Sequence, residues 1–325
     1  MAEELLNINN NELVELTPEE LSKLKRVELN EEESEHLASE PYSYWKSVFR
    51  VFLKKPSAII GLSVGLLILL GAIFIPMLAP KSAFTMDAEL INIPPNGQYW
   101  FGTDLQGRNL FFICWKGLGK SMILALICSA INIVLGTLVG LAWGFFRKID
   151  RILIEIYNLI SNIPSLLLYM LMAVVFSSIF KGVEPEVRLC FALCIFGWLG
   201  VALFVRNFTL IITNREYNIA SKTLGSSPWR IMLKNLLPFL LGVIITELSL
   251  MIPGMVSSEV SLSYFGFGLP SNAISIGAVL ELGRQEFNNY PWQLIYPGLM
   301  LAIVIFVFYL LGLALSDSLD PKKHR

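Results

Sequence analysis

Histidine is nearly missing from this sequence: His36 and His324 are the only two, and both sit in polar stretches near the ends of the chain. Cysteine is sparse as well, with Cys114, Cys128, Cys190 and Cys194 and no C-x-x-C pair among them. That spacing signals neither a zinc site nor a disulfide framework, so the four read as small apolar core residues. Lacking a cluster of metal ligands, or a nucleophile with a base beside it, the chain offers nothing from which to build a membrane-embedded enzyme. Charge is scarce too. Only 16% of the 325 residues are charged and 54% are hydrophobic, against about 25% and 45–50% in soluble domains, and the mean hydropathy is +0.61.

What is present is a series of long apolar runs. A bilayer core of ~30 Å needs about 20 apolar residues of helix. Six stretches qualify: Ala58 to Leu78, Ser121 to Phe146, Ile152 to Phe180, Leu189 to Ile212, Phe239 to Met255 with a polar continuation, and Trp292 to Leu315. They predict an all-α, polytopic membrane protein with six transmembrane helices and both termini on one side. Lysine and arginine choose the side, because cytoplasmic flanks are enriched in them. With the N-terminus inside, the inner flanks hold fourteen and the outer segments seven, so both termini are expected in the cytoplasm. The first apolar run begins near residue 57, which reads as an uncleaved anchor rather than a secretory signal.

Net charge is −1, but residues 1 to 40 hold twelve glutamates against Lys23, Lys25 and Arg26 and carry −9, leaving +8 for the rest. An acidic, solvated arm therefore precedes a mildly basic membrane body. The expected organisation is a cytoplasmic arm and pre-membrane helix (1–56), a first transmembrane helix with an extracytoplasmic segment (57–120), a core (121–318) and a cytoplasmic tail (319–325). Within the core, loop 213–238 is the one sizeable internal connection. Arg215 to Leu224 lacks Gly and Pro and reads as a short helix, Gly225 suits its stop, and Ser227-Pro228 suits the cap and first position of another.

Several patterns reduce to packing. Gly136, Gly140 and Gly144 recur every four residues and bare one ridge for a neighbouring backbone. Gly61-Leu62-Ser63-Val64-Gly65 has the G-x-S-x-G spacing of serine hydrolases but lies inside an apolar span. Gly117-Leu118-Gly119-Lys120-Ser121 matches the end of a P-loop, but the earlier required glycine falls on Cys114. Polar groups inside spans are costly and face protein or water. Glu155, Asn158 and Asn162 share one face just before Pro164, and Glu247 and Glu259 occupy the fifth span and its continuation. These five either bond to neighbouring helices or line a translocation path. Arg206, near a span end, can snorkel.

The run Glu216-Tyr217-Asn218-Ile219-Ala220-Ser221-Lys222-Thr223-Leu224-Gly225, continuing to Leu236-Leu237-Pro238, resembles the EAA loop of ABC importer permeases, whose pattern is roughly E-A-A, three residues, G, and later L-P. Phe101-Gly102-Thr103-Asp104-Leu105-Gln106-Gly107-Arg108-Asn109 resembles the F-G-T-D-x-x-G-R-D segment of the peptide and nickel permease group. Glu259 to Gly268 resembles E-A-A-L-S-F-L-G-L-G. Leu319-Asp320-Pro321 resembles the ending of the C-type subunit of oligopeptide importers, and the acidic arm with Tyr42 to Lys46 looks like the streptococcal versions.

This resemblance implies the type I permease fold and a non-catalytic transport subunit. It also implies a second permease, two ATPases docked on loop 213–238, an extracellular peptide-binding lipoprotein and no nucleic acid. No cofactor is expected on this chain, since ATP and magnesium would belong to the partner ATPases. Glu216, Ala220, Ser221, Gly225 and Pro238 are then the coupling residues, and Gly102, Thr103, Asp104, Gly107 and Arg108 mark the extracytoplasmic family segment. Ser221 in place of the second alanine, Asn235 in place of a histidine and Leu203 in place of an arginine depart from the pattern. A permease of the same fold for dipeptides or nickel is an alternative. An ion-coupled carrier is another, although it would be expected to show inverted repeats and paired intramembrane charges.

Overall fold

The computed structural model describes residues 44–270 and 272–319; the acidic arm and Asp320-Pro321 lie outside the described residues. The chain divides into Met1–Tyr44 and a second compact unit, Trp45–Arg325, which holds every candidate membrane span. Among the described residues there is no strand, only an isolated antiparallel bridge between Thr103 and Asn109.

A short amphipathic helix α1 (Tyr44–Lys54) leads to α2 (Pro56–Leu78), which opens on proline, a residue preorganised for a first helical position. α3 (Leu110–Phe145) follows a folded segment that contains two short 3₁₀ turns. Next come α4 (Arg147–Ser161), α5 (Ser165–Ile179), α6 (Pro185–Thr213) and α7 (Glu216–Thr223). α8 (Pro228–Tyr264), α9 (Ile276–Gln285) and α10 (Trp292–Leu319) complete the chain. Five of these, α2, α3, α6, α8 and α10, are long and apolar enough to cross a membrane.

The sixth crossing is broken. The stretch expected as one span from Ile152 to Phe180 is two helices bent by 87°, because Pro164 cannot donate the next backbone hydrogen bond and disfavours helical geometry at Ile163. α4 is amphipathic and α5 carries no charge and is mostly apolar, so α4 suits the membrane surface and α5 the crossing. Two other boundaries shift. α3 begins at Leu110, where the Asn109 side chain accepts from Phe111 N (3.2 Å), so it runs straight through the expected boundary between 120 and 121. Lys116 and Lys120, expected in the extracytoplasmic segment, lie on the first turns of a longer helix, and the P-loop-like string is helical throughout. α8 likewise runs from Pro228 through Phe239 without a stop. A π-helical turn, Ile231–Leu236, ends two residues before Pro238, so the proline enters where the hydrogen-bond spacing has widened.

Lipid removes the hydrophobic drive between helices, so close packing must hold the bundle. α3 and α6 form its spine. A Cβ on Gly136 would lie 2.5 Å from Val201 Cβ, one on Gly140 2.5 Å from Ala202 O, and one on Gly144 2.7 Å from Thr209 Cβ. The glycine ridge is thus filled by α6. Residue numbers rise together along the contact, so the two helices run parallel, and a crossing in the opposite sense, α5, must lie between them. α8 packs on both α3 and α10, and α10 packs on α2. The segment 79–109 and the loop 214–230 therefore lie at opposite ends of this spine.

Candidate functional site

Loop 214–230 is built to present a short helix. α7 ends in a Schellman closure: Ser226 N donates to Ser221 O and Gly225 N to Lys222 O, both at 3.0 Å, with Gly225 at φ +78°. Its inner side is fastened at three points. Asn218, 0% exposed, donates from Nδ2 to Ile212 O at the end of α6 (2.8 Å) and accepts at Oδ1 from Asn235 Nδ2 on α8 (3.2 Å). The Asn235 amide also lies 3.3 Å from Ser221 Oγ, which donates to Tyr217 O. Lys222 Nζ stands 4.7 Å from the centre of the Phe145 ring at the end of α3. Two departures from the family pattern, Ser221 and Asn235, are thereby one contact.

The outer side is free. Glu216, Ile219 and Ala220 are exposed, Leu224 is 85% exposed and Trp229 63% exposed, with Arg215 and Arg230 beside them. A polar loop that holds out large apolar side chains is the composition of a docking surface. Counting back from Gly225, the acidic position of the E-A-A pattern falls on Ile219, so Glu216 is not the motif's own glutamate; it lies one turn earlier, also exposed. Pro238 belongs to α8 rather than to the exposed loop. Beneath the loop, Arg206 makes a two-point pair with Asp150 at the start of α4, Nε to Oδ1 at 2.7 Å and Nη2 to Oδ2 at 2.8 Å. That guanidinium holds the Asp150 carboxyl below the usual carboxylate range, and the pair ties α4 to α6.

At the opposite end, the segment 79–109 turns its polar groups inward. Asp104 and Arg108 pair with side chains only 3% and 2% exposed, Arg108 Nε donating to Asp104 Oδ2 at 2.7 Å. Asp104 Oδ1 also accepts from the backbone N–H groups of Gln106 and Arg108, each at 2.9 Å. Thr103 Oγ1 donates to Leu90 O and accepts from Ile93 N, and Gln293 Nε2 on α10 donates to Thr103 O (3.0 Å) and Asn92 Oδ1 (2.7 Å). Gly107 has φ +75°, and a Cβ there would collide with Asp87 O. The hydrogen bonds of the family segment tie 79–109 to the start of α10.

Of the residues expected along a path, Glu155, Asn158 and Asn162 are exposed on α4 and at its end, not inside a straight span. Glu247 is half-buried on α8. Glu259 does not face open space. It is 0% exposed, accepts from Ser121 Oγ on α3 (2.7 Å) and Ser263 Oγ (3.0 Å), and is reached by the Ser275 hydroxyl at the start of α9. It brackets three helices. Sequence reasoning also missed the meeting of Cys128, Cys190 and Cys194, whose sulfurs lie within 4.8 Å of one another. The one available signal was the four-residue spacing of Cys190 and Cys194, which puts both on one helical face.

Comparison with known proteins adds an independent line. The model for the binding-protein-dependent transport system inner membrane component matches residues 132–325, and that for the N-terminal TM domain of oligopeptide transport permease C matches residues 43–95. The chain is similar to the oligopeptide transport system permease protein AmiD of Streptococcus pneumoniae, with 35% identity over 93% of this chain and 98% of that one. It is 32% identical to the oligopeptide permease OppC of Bacillus subtilis, over 90% of this chain and 94% of that protein. The dipeptide permease DppC of the same organism is also 32% identical, over 91% and 92%.

Proposed function

The chain belongs to the family of binding-protein-dependent transport system inner membrane components, and we propose that it is the permease subunit of an oligopeptide importer that couples to separate ATPases through α7. The observation that carries this reading is the two-sided nature of α7. Its outer side holds Ile219, Ala220 and Leu224 out of the fold. Its inner side is bonded to the ends of α6, α8 and α3, so a displacement of α7 is delivered to three membrane helices at once.

In this mechanism the ATPases close on ATP and magnesium that they alone bind, α7 moves with them, and the spine of α3 and α6 rocks between two arrangements of the path. A second permease supplies the other half of the path, and a peptide-binding lipoprotein delivers cargo at the end where 79–109 lies. Both termini, and with them α7, face the cytoplasm on the lysine and arginine bias. Glu247 is proposed as a path residue and Glu155, Asn158 and Asn162 as groups at the path's mouth, while Glu259 bonds within the fold. The AmiD and OppC relatives and the permease C domain at residues 43–95 favour oligopeptide cargo; the DppC relative keeps dipeptides as the second reading.

The test is uptake into proteoliposomes that hold this chain with its second permease, its ATPases and binding protein. ATP-dependent accumulation of labelled oligopeptides is expected. Accumulation driven by an ion gradient without ATP would overturn the reading, and a length series from two residues upward decides between the two cargoes.

A further inference from the structure

Three thiols from two helices converge inside the bundle, and we propose that Cys128, Cys190 and Cys194 form a binding site for the soft monovalent cation Cu(I). Cys128 projects from α3, and Cys190 and Cys194 project one turn apart from the facing side of α6. The Sγ atoms of Cys128 and Cys190 are 3.4 Å apart, those of Cys190 and Cys194 are 3.9 Å apart, and no pair exceeds 4.8 Å. The centre of such a triangle is about 2.4 Å or less from every corner, so a cation at the centre, or slightly above it, meets all three sulfurs at the ~2.3 Å of a metal–thiolate bond.

The donor set selects the ion. Sulfur alone favours soft metals, Cu(I) and zinc among them. Zinc held structurally takes four ligands, and the group contains three. The thiols belong to a buried, largely apolar cluster that also holds Leu124, Leu189, Leu193 and Tyr169. Each cysteine that binds Cu(I) gives up its thiol proton to solvent and ligates as the thiolate, with no change of oxidation state. Half-buried Cys190 opens the group to a groove of about 550 Å³ that Leu124, Phe191 and Trp198 also line, and Glu186 at its wall is paired with Lys120 at 3.2 Å. The ion would staple α3 to α6 above their glycine contact. Cys114 is also buried but lies outside the group, which makes it an internal control.

The experiment is an anaerobic titration of the purified, detergent-solubilised complex with Cu(I) held by a chromophoric chelator. One Cu(I) per copy of this chain is expected to leave the chelator. X-ray absorption should show three sulfurs at one distance. Cys128→Ser, Cys190→Ser and Cys194→Ser should each weaken binding by more than the ~10–100-fold that changes to a ligand's outer partners cost, and Cys114→Ser should leave it unchanged. Failure to compete with the chelator overturns the proposal, as does binding that survives in the triple variant Cys128→Ser, Cys190→Ser, Cys194→Ser. An intact mass two hydrogens short in protein kept under reductant, marking a disulfide in place of free thiols, overturns it as well.

Discussion

The two loop regions at opposite ends of the α3–α6 spine solve opposite problems with similar parts. Gly107 and Gly225 have nearly the same left-handed backbone, φ +75° and +78°, yet a Cβ on Gly107 would strike Asp87 whereas one on Gly225 would meet nothing within 4 Å. Around Gly107 the charges are sealed in: Asp104 and Arg108 neutralise each other out of contact with solvent. Around Gly225 the charges are outside and only Asn218 is sealed in. A loop that stiffens a membrane protein satisfies its polar groups internally. A loop that must meet another protein leaves its apolar groups unsatisfied.

The largest effect should come from the sealed end. Asp104→Ala leaves the Arg108 guanidinium buried without its partner, a loss of about 3–5 kcal/mol for a broken buried pair. Little folded protein is expected in size-exclusion profiles of detergent extracts, and replacing Arg108 with methionine in the same chain should recover part of it. Normal folding of Asp104→Ala alone would show that the segment is no more rigid than the loop opposite. Gly225→Val tests the open end. Its neighbours leave room, so insertion and abundance are expected to hold while peptide uptake is lost, because a β-branched residue resists the left-handed turn that closes α7. Uptake at the normal rate would remove the coupling role from that turn.

Which parts were legible in the sequence follows from which forces are local. Span existence, the α7 helix, the Gly225 stop and the Ser227 cap depend on a few neighbouring residues, and the structure has all of them. The glycine ridge announced close packing, though not that α6 would fill it. The break in the third span was only half readable: Pro164 marked the weak point, but not the size of the bend, 87°, nor the Arg206–Asp150 pair that holds the start of α4 to α6 and joins residues 56 apart in the sequence. Glu259 looked like a path residue because a lone carboxylate in a span is unexplained in one dimension. Its partners, Ser121 and Ser275, stand 138 residues before it and on the following helix. The three thiols were dismissed for the same reason, since the contact of Cys128 with Cys190 spans 62 residues.

Smaller effects separate the sealed Asn218 from the open surface around it. Asn218→Ala removes one hydrogen bond from Ile212 O, which keeps Arg215 N, and one from the Asn235 amide, which keeps Ser221 Oγ, a cost of about 0.5–1.5 kcal/mol for each bond lost. α7 should stay helical and still dock, so ATPase activity is expected to persist while peptide moved per ATP falls. Asn218→Ala and Asn235→Ala should then be non-additive by about 0.5–3 kcal/mol, read as thermal stability in the assembled complex; strict additivity would mean that the two amides do not meet.

The smallest effect belongs to Glu216→Lys. Glu216 is exposed, its neighbour Arg215 is basic, and the E-A-A acid position is Ile219, one turn away on the same side. Surface pairs contribute about 0–1 kcal/mol each, so the reversal should weaken co-purification with the ATPases by a few-fold at low salt and by less at high salt, where screening shortens the reach of the charge. Ile219→Asp separates apolar from charged contact. If the docking surface is read through its apolar residues, Ile219→Asp weakens association at every salt concentration, and if it is read through charge, the new carboxylate compensates for the one lost in Glu216→Lys.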